Sequence, residues 1–452
     1  MIKQAKIATL AVAMCFATVQ ASRAENLADT LTSAYNNSGL LDQNRALLRA
    51  ADEDLAQAVS AILPVISWSA NVTNSSPRAP GVDVLQANAA VSGSLTLYAG
   101  GGNRIAIESQ KETILSTRQT LRGIEQDVLF RAVQAYMNLV SAIEFVSLRQ
   151  NNVRVLTQEF RAAQDRFEVG EVTRTDVALA ESRLAATRSL LAAAEGTRVS
   201  AIEEFRAAVG RSPEQLVPVQ PAPVSQGVND AKGFAVRNHP DILQAQHAVS
   251  VAELNIRLAE AALKPTISLE GSVVADEDGD FSRQIGIQAG GPIYSGGALS
   301  SQIRQVRSTR DAARAVLHLA NQAIEQEVGT AYSSLAVAQA SRVASIQQIR
   351  AARVAFEGAR EEATLGARTT LDVLIAEQEL LDAEADLISV QANEVIASYG
   401  VLSAMGLLNA EHLQLPVQQY DPTQYYNLAK EAPVAISPQG AALDRILRSI
   451  GD

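Results

Sequence analysis

The sequence VGEVTRTDV at residues 169–177 returns as LGARTTLDV at residues 365–373, which lies 196 positions later. Two further pairs of matching segments precede these in the same order, LYAGG (97–101) with IYSGG (293–297) and LPVIS (63–67) with KPTIS (264–268). Ordered matches at nearly one offset indicate that the chain is a duplicated unit.

Each half of the chain is predicted to hold a short helix, two strands, a very long helix, a turn and a further helix. Helical patterning and proline stops place the helices at about 41–63, 102–167 and 173–209, then at about 241–263, 298–364 and 369–405. The longest of them would span about 100 Å. Helices of this length are stable only when they pack side by side, as in coiled coils.

The predicted divisions of the chain follow from this order. Residues 25–212 form the first repeat and residues 229–415 the second. The proline-rich segment 213–228 links them, because proline interrupts helices and stiffens extended chain. Residues 416–452 form a polar tail outside the duplication, in which residues 438–450 are predicted to form a short amphipathic helix; the sequence assigns this tail no role.

Residues 1–24 are predicted to be a secretory signal peptide. Two lysines precede an apolar run at residues 7–18, which is too short to cross a bilayer as a helix, and small residues near Ala24 suit cleavage after it. The alternative is a buried N-terminal helix. The only cysteine, Cys15, lies in this segment, so the exported chain is expected to form no disulfide and to carry no reactive thiol.

Composition and charge exclude several classes of function. The chain of 452 residues carries a formal net charge of −11, which argues against nucleic acid as a partner because phosphate binding needs a basic face. No nucleophile elbow or phosphate loop occurs. The four histidines are scattered without metal-ligand spacing: His239, His247, His318 and His412. We therefore expect no enzymatic activity, no cofactor and no metal site.

Four segments alternate between apolar and polar residues, as β-strands with one apolar face do. Their apolar positions are Ile66, Trp68, Ala70 and Val72; Leu85, Ala87, Ala89, Val91, Leu95 and Leu97; Ile267, Leu269 and Val273; and Ile285, Ile287 and Ala289. A soluble sheet with one buried face alternates in the same way, but no other part of the chain is an obvious cover for it. A transmembrane barrel wall needs strands of about 9–11 residues with an apolar outside and a polar lumen, which these segments fit.

Aromatic residues and polar connections occur where a membrane-spanning sheet would place them. Four aromatic residues at or near strand ends are predicted to contact the membrane interface: Trp68, Tyr98, Phe281 and Tyr294. The polar segments 75–84 and 275–282 are predicted to be the outward loops. Four strands do not close a barrel, because small barrels begin at about eight strands. The chain must therefore oligomerise, and three copies would supply twelve strands.

Taken together, the helix–strand–strand–helix order, present twice over residues 25–415, resembles the TolC family of outer-membrane efflux and type I secretion proteins. Three local signatures carry the resemblance in each half. They are the proline that ends the short helix, the Tyr-x-Gly-Gly exit from the second strand, and the turn with Gly, Thr and Asp-Val quoted above.

The resemblance implies a mainly α fold with a small β contribution. Three chains would form a twelve-helix periplasmic α-barrel topped by a twelve-stranded transmembrane β-barrel, with four strands from each chain. Such a homotrimer would lie in outer-membrane lipid with a long periplasmic extension. It would serve tripartite drug efflux, and hence multidrug resistance, or type I protein secretion, or both. A periplasmic adaptor and an inner-membrane transporter would be its partners and would open it.

The two glycine turns are the main candidate functional positions. Gly170 and Gly366 permit the left-handed backbone that reverses a helix, and Thr173 and Thr369 can cap the helix that follows. The resemblance implies that these hairpin tips dock the adaptor and form the closed periplasmic end. The alternative is a simple helix reversal without a binding role.

A periplasmic gate of four residues is also implied by the resemblance: Asp372, Arg368, Thr175 and Asp176. Three copies of Asp372 would form a carboxylate ring at the entrance and attract cations, although a first-turn acid also favours a helix dipole without any pore. Arg368 would tie its hairpin to the neighbouring one through Thr175 and Asp176.

The gate departs from the family pattern at two positions. Ala363 stands where the family has a linking tyrosine, and Ile375 where it has a second acidic residue. Glu377 and Glu361 are candidate substitutes for the missing latch.

The sequence leaves three functions to compare: a passive exit duct, a periplasmic or surface coiled-coil scaffold without a pore, and an exported hydrolase. The scaffold would not require the four alternating strands, and the hydrolase has no nucleophile or metal set to support it. We expect the duct. In such a duct the inner-membrane transporter would choose the cargo.

Overall fold

The computed structural model describes residues 25–74 and 85–451. The predicted signal peptide (1–24) and the first predicted outward loop (75–84) lie outside the described residues. Within them the chain forms ten helices and four strands.

Two long helical hairpins dominate the chain. The first pairs helix α3 (Gly102–Glu168) with α4 (Arg174–Val209), and the second pairs α7 (Ala298–Thr364) with α8 (Thr370–Ala404). Helices α3 and α7 have 67 residues each, which corresponds to about 100 Å. Their bounds confirm the long helices expected from the sequence, and the equal lengths show that the duplication extends to structure.

Each hairpin is preceded by two shorter helices instead of the single helix predicted. They are α1 (Leu27–Asn37) and α2 (Gly39–Ser60) in the first half, and α5 (Val228–Asn238) and α6 (Pro240–Ala261) in the second. The helices predicted at about 41–63 and 241–263 are confirmed as α2 and α6, with ends that differ from the prediction by one to three residues. Helix α2 begins at Gly39 because Ser38 caps it, and it ends at Ser60, before the proline. The eleven-residue helices α1 and α5 were missed.

The four strands form one antiparallel sheet in chain order, β1 (Val65–Asn74), β2 (Leu85–Ala99), β3 (Thr266–Asp276) and β4 (Phe281–Gly290). Its register keeps apolar residues together across the sheet: Trp68 pairs with Val91, which pairs with Val273. The opposite face is polar, and Ser67 hydrogen-bonds Ser92 at 2.8 Å.

The apolar face of this sheet is uncovered within the described part of the chain. Trp68 is 80% exposed and Ile285 79% exposed. The second predicted outward loop is shorter than expected, because β3 continues to Asp276 and β4 begins at Phe281. The residues between them form a turn in which Gly279 has a φ of +82°.

The main core lies where α1, α3, α4 and α8 meet. Leu129, Val133 and Tyr136 of α3 are fully buried there. The Tyr136 hydroxyl donates to the Val217 carbonyl at 2.6 Å and accepts from the Val217 N–H at 3.0 Å. The proline-rich linker is therefore held against α3. No helix in residues 25–74 and 85–451 is both long and apolar enough to cross a membrane.

The tail packs against the first half of the chain. Its helices are α9 (Pro422–Ala429), which was not predicted, and α10 (Pro438–Gly451), which confirms the helix expected at 438–450. The buried Tyr425 donates from its hydroxyl to Glu53 of α2 at 2.7 Å.

Candidate functional site at the hairpin tips

The first hairpin reverses at Gly170, whose φ is +84°. The Gly170 and Glu171 backbone N–H groups donate to the carbonyls of Phe167 and Arg166 at 3.0 and 2.9 Å. These bonds satisfy carbonyls that the end of α3 would otherwise leave without partners. Only glycine takes this backbone conformation without steric cost, so the predicted role of Gly170 in the turn is confirmed.

The second hairpin repeats this geometry at Gly366, with a φ of +75°. The Gly366 and Ala367 N–H groups donate to the carbonyls of Ala363 and Glu362 at 3.1 and 2.9 Å. The turn chemistry of the two repeats is therefore the same although five of the nine residues in the quoted segments differ.

A capping box begins the helix after each turn. The Thr173 hydroxyl accepts from the Asp176 N–H at 3.3 Å, and the Asp176 carboxylate accepts from the Thr173 N–H at 2.9 Å. The corresponding distances for Thr369 and Asp372 are 3.2 and 2.9 Å. Both threonines are thus helix caps, as predicted.

The capping bonds also set the charge of the two carboxyl groups. Hydrogen bonds from Thr173 hold the pKa of Asp176 below its usual range, and those from Thr369 do the same for the pKa of Asp372. Both groups are at the surface and ionised at neutral pH. Each tip therefore holds a capping carboxylate that stays negatively charged beside an exposed turn.

Arg368 pairs within its own hairpin. Its Nε donates to the Glu362 carboxylate at 2.7 Å, and this carboxylate raises the pKa of Arg368. The single chain described over 25–74 and 85–451 does not bring Arg368 into an ion pair with Asp176. The link to Thr175 and Asp176 that the resemblance implies stays a prediction about a neighbouring hairpin.

The two candidate latch residues occupy different environments. Glu361 is exposed on α7, whereas Glu377 of α8 is 7% exposed and accepts a hydrogen bond from Asn152 of α3 at 3.1 Å. This bond joins the two hairpins. The sequence singled out Glu377 but missed Asn152, because nothing in the local pattern marks a partner from another hairpin.

The four aromatic residues proposed for the membrane interface lie near ends of the sheet. Phe281 opens β4 at the turn side, whereas Trp68 and Tyr98 lie toward the helices and Tyr294 follows β4. All four are exposed in the single chain. Their contact with lipid stays a prediction.

Comparisons with known proteins agree with this architecture. The sequence profile of the family described as "OEP: Outer membrane efflux protein" matches residues 30–211 and 234–407, one segment in each repeat. The chain is 34% identical over 423 residues to "Outer membrane efflux protein BepC" of Brucella suis biovar 1 (strain 1330), covering 92% of each chain. It is 24% identical to "Outer membrane protein TolC" of Escherichia coli (strain K12), covering 93% of this chain and 88% of that one.

The fold is shared with solved outer-membrane channels. The crystal structure of the Campylobacter jejuni CmeC outer membrane channel superimposes with a TM-score of 0.76 at 17% identity, covering 91% of this chain and 90% of that one. This likeness confirms the predicted fold class, mainly α with a small β-barrel contribution. Since the profile covers most of both repeats and a relative above 30% identity spans nearly the whole chain, the chain belongs to the outer membrane efflux protein family and is an outer-membrane channel protein rather than an enzyme.

Proposed function

We propose that three copies of this chain assemble into one continuous duct that carries efflux substrates from the periplasm through the outer membrane. The duct itself is passive. A periplasmic adaptor docks onto the hairpin tips, and an inner-membrane transporter supplies the energy and selects the cargo.

The uncovered sheet is the observation that carries this proposal. One face of the sheet is apolar and exposed, and the other carries polar pairs such as Ser67 with Ser92. An apolar face of this kind is stable against lipid, while the polar face lines a water-filled lumen. A coiled-coil scaffold without a pore needs neither face.

The open edges of the sheet support assembly with neighbouring chains. Strands β1 and β4 each pair on one side only within the described chain, which leaves backbone donors and acceptors unpaired. Unpaired groups are costly in lipid, so the edges must join neighbouring chains. Three chains supply twelve strands, enough to close a barrel.

The hairpin tips form the periplasmic gate of the proposed duct. Three Asp372 carboxylates converge at its entrance and favour cations. Arg368 exchanges its exposed partner Glu362 for Thr175 and Asp176 of the neighbouring hairpin in the closed trimer. The adaptor contacts the turns themselves, at Gly170 with Thr173 and at Gly366 with Thr369.

The mass and conductance of the detergent-extracted protein test this function. Native mass spectrometry is expected to give a trimer, and planar-bilayer recordings are expected to give a small, cation-preferring conductance. A chain that stays monomeric and dissolves without detergent would instead support the scaffold.

Docking is tested by cross-linking a photoreactive group at residue 171 or 367 to a purified adaptor. Capture at the tips is expected, and capture equal to that from a group on the sheet turn would contradict docking.

A further inference from the structure

Four polar side chains from three helices meet where the two hairpins pack together. Glu377 belongs to α8, Asn152 and Glu159 belong to α3, and Arg360 belongs to α7. Asn152 is 6% exposed and Glu377 7% exposed. Leu156, one turn from Asn152 on α3, lies beside them in an apolar cluster with Leu374 of α8. Asn152 and Glu377 are therefore a buried polar pair beside an apolar cluster, at the joint between the two hairpins.

The hydrogen bonding of this joint is incomplete. The Asn152 amide nitrogen donates to Oε1 of Glu377 at 3.1 Å. The second carboxylate oxygen of Glu377 and the amide oxygen of Asn152 have no hydrogen-bond partner among the described residues. Buried acceptors without partners destabilise a structure. Of the three acceptor oxygens of this pair, two therefore lack a donor among the described residues.

The nearby charges do not supply that donor. Glu159 repels the Glu377 carboxylate, and Arg360 attracts it. However, Arg360 is 63% exposed and its guanidinium lies 3.8 Å from Glu159, so solvent weakens its effect on Glu377. Burial first, and then repulsion by Glu159, raise the pKa of Glu377 from 4.5 to about 7.

We propose that Glu377 and Asn152 form a proton-binding site that couples the packing of the two hairpins, and hence the proposed gate, to periplasmic pH. The inference rests on the duct function proposed above. With a proton on its second oxygen, the Glu377 carboxyl donates to the Asn152 amide oxygen, while the Asn152 amide nitrogen keeps its bond to Oε1. The pair then makes two hydrogen bonds, and the buried negative charge is gone.

The direction of the pH effect follows from linkage. Glu377 holds a proton more tightly in the packed joint than in water, so packing is favoured below its solvated pKa of 4.5 and loses this stabilisation as pH rises through about 7. Acid conditions therefore keep the hairpins together, and neutral or alkaline conditions loosen them. If the pKa of Glu377 differs by one unit between packed and separated hairpins, the equilibrium constant for packing changes by about tenfold.

The duplication supplies a matched control. Glu181 of α4 stands 196 positions before Glu377, at the equivalent place of the first hairpin, but it is exposed. The two residues share their sequence context and differ in burial against the other hairpin. Replacing Glu181 therefore tests the loss of an acidic side chain at the equivalent but exposed position.

Single-channel recordings on the full trimer between pH 5 and 8.5 test the site. The wild-type open fraction is expected to rise about tenfold with pH, with a midpoint near the titration of Glu377. Glu377→Gln, which mimics the protonated acid, is expected to hold the low open fraction at every pH. Glu181→Gln is expected to follow the wild type. The same pH response in all three proteins would overturn the proposal.

Hydrogen–deuterium exchange tests the joint without relying on current. At pH 8, Glu377→Gln is expected to protect peptides around residues 145–160 and 370–385 more than the wild type does, and at pH 5 the two are expected to match. If this protection pattern were seen without channel current, the proposed duct function would be wrong and the proton-binding site would stand. Equal exchange at pH 8 would overturn the proton site whether or not current is seen.

Discussion

The Arg211 guanidinium donates to the Glu25 carboxylate at 2.7 Å, although the two residues lie 186 positions apart. The same buried carboxylate accepts from the Thr30 hydroxyl at 2.7 Å and from the Glu214 N–H at 2.9 Å. The start of the described chain is thereby tied to the beginning of the linker that leads into the second repeat.

Arg211→Ala is expected to destabilise the fold by about 2 kcal/mol, because it removes a hydrogen bond to a charged group and leaves that group buried. Chemical unfolding in detergent, followed by circular dichroism, measures the change. The control is Arg131→Ala, which breaks the exposed pair with Glu204 and is expected to cost less than about 0.5 kcal/mol. Equal losses in the two variants would show that burial does not set the strength of the Glu25 pair.

Asp176 is the equivalent of Asp372 in the first repeat, so replacing each aspartate in turn tests whether Asp372 lies in the gate. Asp372→Asn and Asp176→Asn both remove a charge while keeping an acceptor for the threonine N–H. If three Asp372 carboxylates line the entrance, only Asp372→Asn is expected to reduce cation preference, by several-fold. Reversal potentials in a salt gradient measure this. Equal effects from both variants, or none from either, would remove Asp372 from the gate.

The same capping bonds predict how cation preference depends on pH. Because Thr369 lowers the pKa of Asp372 below 3.8, the group stays ionised as pH falls and loses its charge only below that value. Cation preference is therefore expected to stay constant from pH 8 to 5, while the open fraction follows Glu377. Recording both quantities on one trimer separates the two sites. If cation preference and open fraction both declined near pH 7, one group would control both.

Alanine is expected to lower the stability of the chain at one glycine of the second hairpin and to raise it at another. Gly366→Ala is expected to cost about 1 kcal/mol, because a side chain at φ +75° strains the backbone even though no atom lies within 4 Å of the added carbon. Gly358→Ala, inside α7 and equally uncrowded, is expected to gain about 1 kcal/mol from helix propensity. Thermal unfolding of the trimer measures both. Two changes of the same sign would contradict the turn assignment.

The long helices and the strands could be predicted from the sequence because the pattern of each element occurs twice, once in each repeat. Helices α1 and α5 were missed because eleven residues give little periodic signal. The pair of Asn26 and Asp29, a capping box in the structure, was the available sign for α1.

Long-range pairs were harder to predict than turns. The Gly170 and Gly366 turns depend on residues within about ten positions, so their chemistry can be read locally. Asn152 and Glu377 are 225 positions apart, and neither residue predicts the other. Their meeting depends on how α3 and α8 pack, which is a property of the whole fold.

The tail gives the last prediction, since one of the contacts that attach it is a hydrogen bond from Tyr425 of α9 to Glu53 of α2. Tyr425→Phe keeps the buried ring and removes the 2.7 Å bond to Glu53, so it is expected to cost about 1 kcal/mol and to speed proteolysis of the tail. Tyr426→Phe is the matched control, because Phe retains the ring that lies 5.2 Å from the Arg118 guanidinium. Limited proteolysis followed by mass spectrometry compares the two. If Tyr426→Phe released the tail as readily as Tyr425→Phe, the bond to Glu53 would not be what holds α9 against α2.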